Sequence, residues 1–147
     1  MSLRERLNDE LKASMKSKDN LKLSVIRMVR SSVKNREIDQ RHELDDQEII
    51  EVISTLCKQR KESIRLFREA SRKDLVDKEE KELELLLEFL PKQLTHEELE
   101  DLVRKTIAES GAQGPKDMGR VMKALQPAIA GRADGKMVSE LVKDHLA

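Results

Sequence analysis

The chain has 147 residues, 39% of them charged and 1% aromatic, with neither Trp nor Tyr. That length suits one ordinary domain or two small ones and excludes a multidomain enzyme with a large buried cleft. Its 29 basic and 29 acidic residues cancel, so net charge announces no polyanion partner, and the lone Cys57 excludes an intramolecular disulfide or a multi-cysteine metal site.

Burial has to come from Leu, Ile, Val, Met and the two phenylalanines, Phe67 and Phe89, a palette that favours helices over strands. The N-terminal run Met1–Arg6 has no apolar signal core, and no window is apolar over the length of a bilayer span. With one cysteine, these features place the chain in a cytoplasmic setting, outside the membrane.

Ser2 and Glu5 stand at capping-box spacing, and Leu3, Leu7, Leu11 and Met15 follow at every fourth residue, predicting a first helix to about Lys18. Asp19-Asn20 punctuates it. The stripe Leu21, Val25, Val29, Val33 predicts a second helix to about Arg36, and a polar connection from Asp39 to Leu44 leads to Asp45 and Glu48, a second capping pair. The third helix runs to about Arg72 on Ile49, Ile53, Leu56, Ile64 and Phe67, with Arg60 interrupting the stripe. A break near Lys73-Asp74 precedes a fourth helix from Leu75 to Leu90. Pro91 disfavours helical geometry at Leu90, which marks a boundary between a bundle of residues 1–91 and a tail of 92–147. Thr95 and Glu98 open a fifth helix to about Ser110, closed by Gly111 and Gly114. Pro115 starts the sixth, on Met118, Val121, Met122 and Leu125, and Pro127 forces a change of path. Asp134 caps the last helix, whose inner face is Val138, Leu141, Val142 and His145 or Leu146. The expectation is all-α: a bundle of about four helices, then a three-helix tail.

Catalytic chemistry finds little support. His42, His96 and His145 share no ligand spacing, so no metal is expected. Cys57 lies on the apolar side of the third helix with no histidine nearby, and neither a phosphate-cradling glycine loop nor a nucleophile elbow is present. No cofactor is called for. The acidic run from Glu79 to Glu88 alternates with leucines as a solvated helix face would; docking of a basic partner is the alternative.

Positive stripes are more informative. Residues 58 to 73 hold seven Lys or Arg against two acids, while residues 77 to 101 hold ten acids against three lysines. Lys58, Lys61, Arg65, Arg68 and Arg72 recur at three- or four-residue steps on one helical face, and Arg27, Arg30 and Lys34 repeat that spacing in a segment, 21 to 36, without any acid. Either stripe can follow a phosphate backbone. On pattern alone, however, a basic solvated face balanced by the acidic run is the plainer account. The loop Gly131 to Gly135, with Arg132 and Lys136 beside a helix start, could hold an anion, but Asp134 competes for the same N–H groups, and a capped interhelical turn is again plainer.

Four ordered segments carry a family likeness: Lys58-Gln59-Arg60-Lys61-Glu62-Ser63, Glu88-Phe89-Leu90-Pro91-Lys92-Gln93-Leu94, Asp117-Met118-Gly119-Arg120-Val121-Met122 and Gly131-Arg132-Ala133-Asp134-Gly135-Lys136. Together they resemble the YqeY family over essentially the whole chain, and through it the C-terminal helical region of the B subunit of tRNA-dependent aspartyl/glutamyl amidotransferase. The resemblance implies a helical bundle with a small tail and an appendage that engages tRNA, the chemistry being carried by parts this chain lacks. Carried over to matching positions, it points to Lys116, Arg120, Lys123, Arg132 and Lys136 as RNA-facing cations and to Gly119, Gly131 and Gly135 as points of close backbone approach. Where the family often has basic residues, Ala128 and Ala130 stand here, which weakens the tail's grip. The function expected is a tRNA-binding accessory protein without catalysis of its own. The alternatives are a module docking on an amidotransferase subunit or a tRNA synthetase and, behind both, a free-standing carbon–nitrogen ligase using glutamine as amide donor.

Overall fold

Local polar chemistry sets where the helices of this chain begin. In the computed structural model, which describes residues 1–147, Ser2, Asp45 and Thr95 each accept a hydrogen bond from the backbone N–H three residues on. Glu5, Glu48 and Glu98 return the bond to the cap residue, closing three capping boxes. Seven α-helices and one 3₁₀ turn result, with no strand: α1 Leu3–Ser17, α2 Asn20–Gln40, α3 Asp46–Glu69, α4 Lys73–Leu87, α5 His96–Ser110, the 3₁₀ turn Pro115–Asp117, α6 Met118–Ile129 and α7 Gly135–Leu146. They divide into two compact units, Met1–Leu90 and Pro91–Ala147.

In the first unit, α1 to α4 form an all-helical bundle around Leu7, Val25, Ile26, Val29, Ile49, Ile53, Leu86 and Phe89. Ile26, Ile53 and Leu86 have no exposed surface, and each contributes about 1.5–3 kcal/mol by burial. The second unit packs α5, α6 and α7 around Leu99, Val103, Val121, Leu125, Val138 and Val142.

Several boundaries depart from the periodicity. Helix α2 continues past Arg36 to Gln40, because Glu37 in its last turn accepts hydrogen bonds from Arg4 Nη2 and from the Leu44 N–H at 2.9 Å. Helix α3 stops at Glu69, and Ser71 takes a left-handed turn at φ 57°. Arg72 therefore leaves the α3 face to become the N-cap of α4, which starts at Lys73 and ends at Leu87, short of Leu90. Pro127 does not break α6. It sits exposed in the last turn, where Val121, Leu125 and Ile129 keep one buried face at four-residue spacing, and the only carbonyl it deprives is that of exposed Lys123.

Candidate nucleic-acid interface

Because Val25, Ile26, Val29 and Val33 point α2 into the core, Arg27, Arg30 and Lys34 are left on its outer face, all exposed. None of the three makes an ion pair or a side-chain hydrogen bond; the ion pair on α2 closest to its start is Lys22 Nζ to Glu10 at 2.8 Å. Beside this face a groove of about 530 Å³ runs between α1 and α2. Its floor is apolar, Leu7, Val33 and Ile49, and its walls bring in Asn8 and Ser31 as well as Arg4. The groove's one carboxylate, Glu37, is already engaged: Oε2 lies 2.6 Å from Arg4 Nη2. The N–H of Leu44 donates to it as well and, with the Arg4 guanidinium, holds the Glu37 carboxyl below the usual carboxylate range. Arg4 also lies 3.3 Å from Glu43 Oε1 and donates to the Leu44 carbonyl, so its guanidinium is fixed on the groove wall.

The α3 stripe is different in kind. Arg65 bridges Glu62 at 2.5 Å and Glu69 at 2.8 Å, Arg68 pairs with Glu80 of α4, and Arg72 pairs with Asp74 at 3.2 Å. Carboxylate neighbours push the Arg65 and Arg72 guanidiniums further toward their charged forms. Lys58 and Lys61 are exposed on the same helix without such partners. Arg60, which breaks the apolar stripe, turns inward: Nε donates to Glu82 at 2.8 Å, lies 3.1 Å from Glu79, and the guanidinium rests against Met28 Sδ. Much of the acidic run thus compensates α3 directly.

In the second unit, Lys116 lies in the 3₁₀ turn and Arg120 and Lys123 on α6, with Arg120 3.4 Å from Asp117. The Gly131–Gly135 loop acts as a clasp on the segment before α5. Arg132 Nε donates to the Lys92 carbonyl at 3.0 Å, Leu94 N–H donates to the Arg132 carbonyl at 2.9 Å, and Gln93 Nε2 donates to the Gly131 carbonyl at 2.7 Å. Gly131 needs its freedom, at φ 71°. Asp134 accepts the Lys136 N–H at 3.0 Å, taking a donor that an anion would use. Lys136 itself is exposed, and a Cβ at Gly119 or Gly135 would meet open space.

Elsewhere, burial pushes the Cys57 thiol up to about 11, the opposite of what a nucleophile needs. His42 bonds the Glu43 carbonyl at 2.9 Å and faces Glu48 at 3.4 Å; His145 faces Glu100 at 3.6 Å. No group of His, Cys, Asp and Glu has a metal-holding arrangement, and no helix is long and apolar enough to cross a membrane. Arg4, Asn8, Ser31 and Glu37 line the groove without having stood out in the sequence. Ser31 lies within the acid-free segment and Glu37 just after it, while Arg4 and Asn8 come from α1.

The fold and its exposed side chains define a class: an all-α protein of two units with a cationic groove on the larger one. The sequence matches the family model described as Yqey-like protein over residues 4–146, and the chain belongs to that family. Among curated proteins it is 43% identical over 81 residues to Altered inheritance of mitochondria protein 41, mitochondrial, of Kluyveromyces lactis, covering 54% of this chain and 44% of that protein. The counterpart in Lachancea thermotolerans is 41% identical over 85 residues, 57% of this chain and 46% of the relative. That of Pyrenophora tritici-repentis is 30% identical over 142 residues, 95% and 78% respectively. The chain spans under half the length of the first two relatives. All three are named as mitochondrial proteins, which overturns the cytoplasmic expectation. That expectation rested on the lone thiol and on the lack of an apolar signal core or span, and one buried Cys57 excludes an internal disulfide without identifying the compartment.

Proposed function

We propose that this chain is an RNA-binding accessory protein without catalysis of its own, that tRNA is the RNA, and that the α2 face of the first unit is the principal contact. The observation that carries the reading is the trio Arg27, Arg30 and Lys34, exposed and unpaired in a segment without acids, beside a groove whose carboxylate is already engaged. Cations without internal partners are free to displace the counterions of a phosphate backbone, which is where nonspecific nucleic-acid affinity comes from. Lys58, Lys61, Lys116, Lys123, Arg132 and Lys136 add secondary contacts on their own units. Arg65, Arg68, Arg72 and Arg120 contribute less, since each would have to exchange a carboxylate for a phosphate. With no Trp or Tyr, recognition rests on shape and charge.

The test is filter binding of tRNA to the full chain and to a triple variant, Arg27→Glu, Arg30→Glu, Lys34→Glu. Three phosphate contacts imply a roughly 20- to 40-fold loss of affinity for the parent protein between 50 and 200 mM salt, with a much flatter dependence in the variant. Equal affinity of the two proteins at low salt would remove α2 from the interface. A protein partner recovered after nuclease treatment, an amidotransferase subunit or a tRNA synthetase, would replace RNA by the docking alternative.

A further inference from the structure

The groove between α1 and α2 has more structure than a phosphate track requires. A backbone-gripping surface needs only cations at the right spacing, whereas this one has an apolar base, where the core residues Leu7, Val33 and Ile49 close the groove beneath the cationic rim. Its volume, about 530 Å³, falls within the roughly 300–1,000 Å³ typical of small-molecule sites. We propose that the groove receives a single unpaired nucleotide of the bound RNA, its base over the apolar floor and its phosphate at Arg27, Arg30 and Lys34. The proposal rests on the RNA-binding reading and specifies what that surface selects.

Three features favour a nucleotide. The groove is lined by planar guanidiniums, and one of them, Arg4, is held in place by Glu37, Glu43 and the Leu44 carbonyl. Two carboxylates balance its charge, so it suits a flat base better than it suits a phosphate. Guanidinium planes serve as stacking surfaces for unstacked bases where aromatic rings are lacking, and both phenylalanines lie outside the groove. Asn8 and Ser31 add an amide and a hydroxyl with no side-chain hydrogen bond of their own, on opposite walls. Such groups read the donors and acceptors on a base edge. The rim cations then hold the phosphate, with no free acid in the groove to oppose it.

The experiment compares two RNA hairpins that differ only by one bulged nucleotide, binding to the full-length protein at low salt. The bulged hairpin is expected to bind about tenfold more tightly, the scale of one stacked base. Asn8→Leu, and separately Ser31→Leu on the facing wall, should bring the bulged hairpin down to the level of the plain one. Arg30→Glu with Lys34→Glu should weaken both. Equal binding of the two hairpins by the unaltered protein, or a bulge preference that survives both leucine variants, overturns the nucleotide subsite and leaves RNA binding intact. Failure to bind either hairpin or tRNA defeats the RNA reading itself.

Discussion

Replacing Arg60 by Met removes the cation from a polar cluster buried between α2, α3 and α4. The side chains of Arg60, Glu79 and Glu82 are only 18%, 18% and 13% exposed, so water screens the cluster weakly. Without Arg60, Glu82 loses its 2.8 Å hydrogen bond and the two carboxylates face each other unpaired. Removing one partner of such a group costs about 3 kcal/mol. For a unit of this size that corresponds to roughly 12–24 °C in melting temperature. Restoring neutrality with Glu79→Gln and Glu82→Leu on the Arg60→Met background should recover most of the loss, because an apolar replacement of a whole buried ion group is close to neutral. With no Trp or Tyr to follow, the measurement is far-UV circular dichroism, with hydrogen exchange assigning the loss to α3 and α4. A change under about 1 kcal/mol in the single variant, or a triple variant as unstable as the single one, would refute the claim that Arg60 is held by its carboxylates.

Cys57, with its thiol near 11, should resist alkylation at neutral pH in the folded chain, with a thiolate population about a hundredfold below that of an ordinary thiol, and react only on unfolding. His42 is raised above its ordinary value, chiefly by its bond to the Glu43 carbonyl and then by Glu48. Its contribution to stability is therefore complete below about pH 6.5 and lost as pH rises through the elevated folded value, and His42→Ala should flatten stability against pH across that window. Glu37 is shifted the other way, chiefly by the Leu44 N–H. Its contribution is present above the ordinary glutamate value and lost as pH falls through the depressed folded one, so Glu37→Gln should remove that part of acid sensitivity in melts below about pH 4.5. Arg132→Ala should loosen the clasp on Lys92, speed hydrogen exchange around residues 92–95, and cost about 1 kcal/mol in the second unit.

Helix starts were legible because their chemistry is local: Ser2/Glu5, Asp45/Glu48 and Thr95/Glu98 close their boxes within one turn. The end of α2 was not, since Gln40 is reached only because Glu37 finds Arg4, 33 residues away. Pro127 misled for a related reason: its local penalty is real, but burial of Leu125 and Ile129 outweighs it. At the candidate site, the acid-free segment of α2 was visible along the chain, while the α1 wall that turns it into a groove was not. The α3 stripe was equally visible, yet its state depends on a pairing across helices, Arg68 with Glu80 and Arg60 with Glu82.

That contrast bears on how a chain of zero net charge could bind a polyanion. Two basic stripes of similar spacing differ because acids of α4 reach Arg60 and Arg68 on α3, while no ion pair reaches Arg27, Arg30 or Lys34 on the outer face of α2. Helix α4 brings Glu79, Glu80 and Glu82 within ion-pair distance of Arg60 and Arg68, so part of the positive charge of α3 is balanced inside the first unit. Helix α2 meets α1, whose Glu10 is engaged with Lys22, and its own Glu37 is engaged with Arg4. Arg27, Arg30 and Lys34 are consequently left with a local positive potential that the overall sum conceals. Within a Debye length of about 8 Å at physiological salt, a phosphate responds to that local excess rather than to the molecule's total. Moving the acidic partner should therefore move the activity. Ser31→Glu, between Arg27, Arg30 and Lys34, should weaken RNA binding, while Glu80→Gln should free Arg68 and strengthen it, with net charge moving by the same amount in opposite senses.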